Sequence, residues 1–424
     1  MKKVLIIAYY YPPRGTIGAQ RPHKLAKYFP RYGWEPTVLT VRQKGYPPED
    51  IKTIETEYID IARKFKSKLG FNPDGTLHDQ LKIEVSKNYD YTTWKSKLIK
   101  LSKEIIAYPD YQKGWYKYAI KAASEILFKE KIDAIISTSY PVTAHLIARQ
   151  LKKRYKVPWV ADLRDLWTQN HFYNKYDLIK YFERRLELKT LSDANVLVTV
   201  TNRFANDLKK LHRDKRVICI TNGYDAEEYP EMQTKLTDKF TITHTGQLYG
   251  GKRDPSMLFF VISDLIKGRK IEKDMMEIRF YGPEEKWLNY NAKEYNLSGI
   301  VKQYGIISRE EVKKKQKESQ LLLLLLDKNN KENGVYPAKV FEYFGARRPI
   351  VAIGGKDGII KELLEKTNSG KFAGNHEILQ KVIYEYYREF INSGEIKCRS
   401  NGSVENFSYQ SIAKKYSDVL NRLL

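Results

Sequence analysis

The residue spacing with the clearest chemical consequence is Asn333-Gly-Val-Tyr-Pro-Ala-Lys-Val-Phe-Glu-Tyr-Phe-Gly-Ala-Arg-Arg-Pro-Ile350, set between the apolar run Leu321–Leu326 and a second one opening at Pro349. Pro337 suits a first helical turn, where a backbone N–H has no intrahelical partner. Gly334 lets backbone approach a ligand, and the amides and dipole of the helix start form an anion site. Lys339 and Glu342 are three apart and share a helix face. A cation beside a diphosphate, a carboxylate accepting both hydroxyls of a ribose, and Tyr336 as a further nucleotide contact make up the chemistry this segment offers.

His244-Thr-Gly-Gln-Leu-Tyr-Gly-Gly-Lys-Arg-Asp-Pro255 is an apolar strand end, a glycine-rich loop and a helix start. Gly246, Gly250 and Gly251 free the backbone to wrap an anion, and Lys252 and Arg253 can neutralise it. Tyr9-Tyr-Tyr-Pro-Pro-Arg-Gly-Thr-Ile-Gly-Ala-Gln-Arg21 repeats the arrangement near the N-terminus, with Gly15 and Gly18 for close backbone approach and Arg14 and Arg21 as charge partners. The GxGxxG fingerprint is absent, and no acidic residue closes the second strand near Val38–Val41, which disfavours a dinucleotide-dependent oxidoreductase. Trp159-Val-Ala-Asp-Leu-Arg-Asp-Leu-Trp-Thr168 gathers Asp162, Arg164 and Asp165 at a strand tip. The two carboxylates suit binding an acceptor or orienting its hydroxyl, with Arg164 steering phosphate; a buried ion-paired cluster without a catalytic part is the competing reading.

These loops need strands to hold them. Val4–Tyr9 is apolar without polar alternation, as in a parallel strand buried on both faces. Helical spacing over Pro22–Tyr32 and a second strand at Pro36–Val41 complete a βαβ unit. Strands at Ala134–Thr138, Trp159–Asp162 and Asn195–Thr201 alternate with helices at Val142–Arg154 and Leu178–Leu191, the rhythm of an open parallel sheet. It restarts with strands at Thr241–Thr245, Glu277–Tyr281, Ile300–Tyr304, Leu321–Leu326 and Pro349–Ile353. Domains at 1–220 and 221–404 follow, with a terminal helix at 405–424. The turn Ile220-Thr-Asn-Gly-Tyr-Asp225 opens the linker and serves chain reversal. Residues 44–118 interrupt the first domain with basic, aromatic, mostly helical sequence. There Trp94, Leu98, Leu101 and Ile105 form an apolar stripe beside Lys95, Lys97, Lys100 and Lys103, which fits both a membrane-surface helix and one packed on the domain core.

The net charge of +24 over 424 residues, mostly in the first half, points to an anionic partner. No nucleic-acid-binding motif accompanies it, so nucleic acid is not expected. Cys219 and Cys398 show no metal or disulfide spacing, no metal is expected, and no apolar run reaches the length of a membrane span. The basic, apolar N-terminus reads as a first strand and not as a signal peptide.

The segment around Glu342 resembles the donor-binding region of the family-4 retaining glycosyltransferases, whose two glutamates stand eight apart. The Asp-Leu-Arg-Asp-Leu-Trp pattern at Asp162 resembles one branch of that family, and the resemblance runs over nearly the whole chain outside 44–118. It implies a GT-B fold, α/β, with two Rossmann-like doubly wound parallel-sheet domains facing a central cleft. It implies transfer, with retention, of a sugar from a UDP- or GDP-linked donor to a glycan or lipid-linked acceptor in surface polysaccharide or glycolipid synthesis, with no cofactor beyond that co-substrate. Glu342 corresponds to the second glutamate, which holds the ribose. The first is replaced by Gly334, so the donor-sugar contact passes to backbone or to Glu332. Gln247 stands where many members have arginine, leaving phosphate charge to Lys252, Arg253 and Lys339. The expected location is the cytoplasm, with peripheral contact at an anionic membrane. A GT-B sugar-nucleotide epimerase or phosphorylase and a nonenzymatic binder of anionic ligands are the alternatives.

Overall fold

In the computed structural model, residues 1–14, 16–68, 94–170, 173–229, 234–327, 334–355 and 358–424 are described, without the side chains of 17, 62, 65, 66, 68 and 94–99. Gly15, Glu332 and Asn333, and the side chains of Trp94, Lys95, Lys97 and Leu98, therefore lie outside the described residues. The chain divides into two units, Met1–Thr221 with Ala413–Leu424, and Asn222–Ile412.

Unit 1 is built on a parallel sheet of β1 (Lys2–Ile7), β2 (Trp34–Val41), β3 (Thr53–Thr56), β4 (Ala134–Ser139), β5 (Trp159–Leu163), β6 (Val196–Thr199) and β7 (Arg216–Cys219). Its spatial order is β3-β2-β1-β4-β5-β6-β7, so the direction of winding reverses between β1 and β4. Unit 2 holds β8 (Phe240–Thr245), β9 (Met276–Tyr281), β10 (Val301–Gln303), β11 (Leu321–Leu325), β12 (Ile350–Ile353) and β13 (Gly370–Ala373). Its order, β10-β9-β8-β11-β12-β13, reverses between β8 and β11. Every ladder in both sheets is parallel. The leucine run shows why such strands carry no polar alternation. Leu321, Leu323 and Leu325 enter one core and Leu322 and Leu324 the other, because successive side chains leave opposite faces of the sheet.

Two expectations are corrected. Residues 44–118 are not wholly a helical interruption, since Thr53-Ile-Glu-Thr56 pairs with Val38–Val41 as the edge strand β3. Its β-branched residues fit a pleated edge, and the buried Trp115 donates from Nε1 to Thr56 Oγ1 at 2.8 Å, tying the end of the segment back to the strand. The first helix runs Ile17–Tyr28, with Pro22 inside it and not at its start. Proline has no N–H for the carbonyl four residues back, that of Gly18. Arg164 supplies the missing donor from Nη1.

Candidate functional site

In an open parallel sheet the ligand crevice lies beyond the carboxyl ends of the strands, where the order reverses. For unit 2 that is the end of β8 beside the segment following β11. Gly246 turns the chain there with φ 109°, its N–H donating to Tyr281 O at 2.6 Å. The Lys339 side chain lies directly over the Gly246 Cα, where any Cβ would collide with its methylene and ammonium. The glycine-rich loop and the helix Ala338–Ala346, 93 positions apart in the chain, thus meet at the sheet's reversal point.

His244, the penultimate residue of β8, is 1% exposed. Its Nδ1 bonds Leu323 O at 3.0 Å, which makes Nδ1 the protonated nitrogen and leaves Nε2 a bare acceptor without a partner among the described residues. Burial pushes its pKa down to about 3, and the positive charges of Lys339 and Arg253 push in the same direction. The imidazole is therefore neutral, and it registers a positive field at this end of the sheet. The next turn of the site is set by Tyr343, whose hydroxyl donates to Leu323 O at 3.1 Å and accepts from Thr245 N–H at 3.4 Å.

The two helix starts differ in what they can bind. Asp254 accepts from Ser256 N–H at 2.7 Å, so a carboxylate already occupies the start of the helix Ser256–Lys267. The helix Ala338–Ala346 has Pro337 at its N-cap and no side-chain cap, and it presents Lys339 in its first turn. The positive end of its dipole is thus the one offered to an anion. Lys252 is exposed, while Arg253 is nearly buried with its guanidinium 4.7 Å from the Tyr249 ring centroid. Gly250 donates its N–H to Glu285 Oε1 at 3.3 Å, and Gly251 stands in open space.

Glu342 is half-buried, and Gly334 is buried with φ 90°. The Glu342 charge, second to burial, raises the pKa of Tyr229, whose ring packs against Gly345 of the same helix. A side chain at 345 would overlap the ring. Tyr336, expected as a nucleotide contact, packs edge-on to Phe341 at 5.8 Å, on the apolar side of the segment.

Unit 1 treats its charged residues differently. Asp162, expected to face an acceptor, is 0% exposed and accepts from Arg21 at 3.1 and 3.2 Å, Tyr416 OH at 2.7 Å and Thr138 Oγ1 at 2.8 Å. Burial alone would raise its pKa; Arg21 and Arg164, with the two hydroxyls, outweigh burial and hold it below the usual carboxylate value. Arg21, expected to meet donor phosphate, is 1% exposed and also donates to Ile220 O at 2.8 Å and Thr221 O at 2.6 Å. These are the bonds of a structural clamp, and they correct both expectations. Arg164 donates from Nε to Ser139 O at 2.7 Å and from Nη1 to Gly18 O, so it braces the end of β4 against the first helix. Gly18 is helical and receives that guanidinium, which corrects its expected place in a phosphate loop. Asp165 is exposed, and Arg14 lies 5.0 Å from the Tyr10 ring centroid.

Sequence reasoning missed the roles of Tyr416, Tyr229, Glu285 and two buried histidines, His244 in unit 2 and His145 in unit 1. The second of these bonds Ser137 Oγ at 2.7 Å through Nδ1, and burial lowers its pKa to about 4. No spacing rule links Tyr416 to a carboxylate 254 residues away.

Residues 96–228 match the family model described as Glycosyltransferase Family 4. No curated protein matches the chain. Among solved structures it is similar to sucrose-phosphate synthase from Thermosynechococcus elongatus, at 10% identity and TM-score 0.59 over 100% of this chain and 99% of that one. It is similar to Anabaena HepE, solved in complex with UDP and glucose, at 12% identity and TM-score 0.59 over 100% of both chains. The lipopolysaccharide outer core galactosyltransferase WaaB aligns at 13% identity and TM-score 0.55 over 100% of both. At such identities the likeness is one of fold, and with the two parallel sheets it makes this a GT-B protein.

Proposed function

We propose that the chain is a glycosyltransferase that takes its sugar from a nucleotide donor, UDP- or GDP-linked, and passes it to a glycan or lipid-linked acceptor with retention at the anomeric carbon. The observation that carries the reading is the convergence of Lys339, Gly246 and neutral His244 at the reversal point of the unit 2 sheet. The family-model match and the HepE likeness support it. In this reading the diphosphate lies at the start of the helix Ala338–Ala346 against Lys339, with Lys252 and Arg253 adding positive charge and Glu342 accepting the ribose hydroxyls. We assign the acceptor to the exposed strand tips of unit 1, Asp165 among them.

Transfer makes a bond from an acceptor oxygen to the anomeric carbon and breaks that carbon's bond to the β-phosphate oxygen, which leaves with the electron pair. The acceptor proton passes to the departing phosphate or to water. Charge builds on the diphosphate as the bond breaks, so fixed cations and amides stabilise the transition state more than the ground state. Their supply of positive charge is why we expect transfer to continue in EDTA.

Thermal shift against UDP-, GDP- and ADP-sugars, followed by detection of released nucleotide and labelled glycan, tests the reading. One donor class should raise the Tm, and Glu342→Ala should weaken its binding about 10- to 100-fold. Activity untouched by that substitution, or no shift with any donor, counts against it. Interconverted sugar nucleotide without glycan product would mark an epimerase instead.

A further inference from the structure

The helix Asp177–Leu191 of unit 1 is apolar on more than its buried side. Its inward face carries Ile179, Thr190 and Leu191 together with two carboxylates, Glu183 and Glu187, 1% and 0% exposed. Glu183 accepts from the Tyr173 hydroxyl and the Lys175 ammonium, and Glu187 accepts from Thr168 N–H at 3.2 Å and from the Thr168 hydroxyl. Its outward face carries Leu178, Tyr181, Phe182 and Leu188, exposed by 65%, 54%, 49% and 37%. At i, i+3, i+4 and i+10 they make one stripe along the helix. Beside it Tyr108, two residues past the end of the helix Trp94–Ile106, donates to Phe182 O at 3.5 Å.

Positive charge edges the stripe. Arg185 packs over the Tyr181 ring at 5.6 Å and donates to its hydroxyl at 2.9 Å, and Lys189 is exposed one turn on. Asp177, at the very start, is the one exposed acid of this helix. Apolar side chains held outward in a row mark a surface that is covered in use. Leucines and aromatics between basic residues, on a chain of net charge +24, complement a partner that offers a negative plane over an apolar layer. An anionic lipid bilayer is such a partner, and tyrosine, with an apolar ring and polar tip, suits its boundary.

We propose that the outer face of the helix Asp177–Leu191 docks the protein on an anionic bilayer, with Leu178, Phe182 and Leu188 entering the headgroup boundary and Arg185 and Lys189 meeting anionic headgroups. This is a different surface from the lysine-flanked stripe of the helix Trp94–Ile106, and it does not depend on the sugar-transfer reading.

Sedimentation of the full chain with vesicles of phosphatidylcholine alone, or mixed with phosphatidylglycerol, tests the proposal. Wild type should sediment with the mixed vesicles and be released by salt. Leu178→Ser with Phe182→Ser should lower partition by about tenfold or more at unchanged Tm. Arg185→Gln with Lys189→Gln should lower it about tenfold and remove the preference for anionic lipid. The proposal is overturned if wild type stays in the supernatant, or if both variants sediment like wild type. It is equally overturned if sedimentation velocity shows a dimer that the serine variant dissolves, which would make this face a contact between copies.

Discussion

At the reversal point of the unit 1 sheet, Arg21 and Asp162 form a buried pair closed by Tyr416, Thr138 and two backbone carbonyls; at that of unit 2, Lys339 lies over Gly246 next to a histidine kept neutral by burial and positive charge. Both sheets wind the same way about this point, so topology alone does not choose between the two outcomes. The difference lies in what each segment brings to it. In unit 1 a guanidinium and a carboxylate arrive together and satisfy each other, which fixes structure and leaves little to bind with. In unit 2 Lys339 lies over a glycine, which leaves no side chain between it and the carboxyl end of β8. A shared fold thus supplies a clamp at one crevice and, in the function proposed above, an anion site at the other.

The largest break of this comparison is Asp162→Ala. It leaves Arg21 buried without its carboxylate and should destabilise unit 1 by about 3–5 kcal/mol. Denaturant unfolding followed separately in the two units should show the loss in unit 1 alone, and equal loss in both would undo the contrast. Lys339→Met comes next. It should slow transfer by about 100-fold or more while leaving stability nearly unchanged, as expected when charge acts mainly on the transition state. A large fall in Tm would instead make Lys339 a structural residue like Arg21.

Acid sharpens the comparison at intermediate size. The folded protein keeps His244 neutral to about pH 3 and His145 to about pH 4, whereas an unfolded histidine protonates near 6.5. Unfolding therefore takes up protons between these values. The stability is fully present above about pH 6.5 and falls as pH drops, by up to ~1.4 kcal/mol per pH unit for each histidine. Imidazole titration by NMR separates the units: Lys339→Met should raise the pKa of His244 and leave that of His145 in place. Asp165→Asn is expected to be the smallest effect, within about 0.5 kcal/mol in stability because the side chain is exposed. A rise in acceptor KM with donor KM unchanged would support its assigned role, and no change in either would remove it.

The succession of strands along the chain, the run Leu321–Leu325 and the shared helix face of Lys339 and Glu342 were legible in the sequence, because each is fixed by neighbours within a few residues. The edge strand β3 was less so. Four residues of alternating Thr and Ile are too few to stand out from a long basic insertion, and their pairing with Val38–Val41 is what makes them a strand. The helix Asp177–Leu191 was legible as a helix but not in its orientation, since buried glutamates become tolerable only once Tyr173, Lys175 and Thr168 are brought to them.

By itself the sequence determined the periodicities, the glycine-rich turns and the helix starts, which depend on local backbone sterics and on hydrogen bonds a few residues apart. Only the tertiary structure decided which charges neutralise one another. Arg21 meets Asp162 across 141 residues and Asp162 meets Tyr416 across 254, and a charge is neutralised by what lies within a few ångströms in space, whatever its distance along the chain.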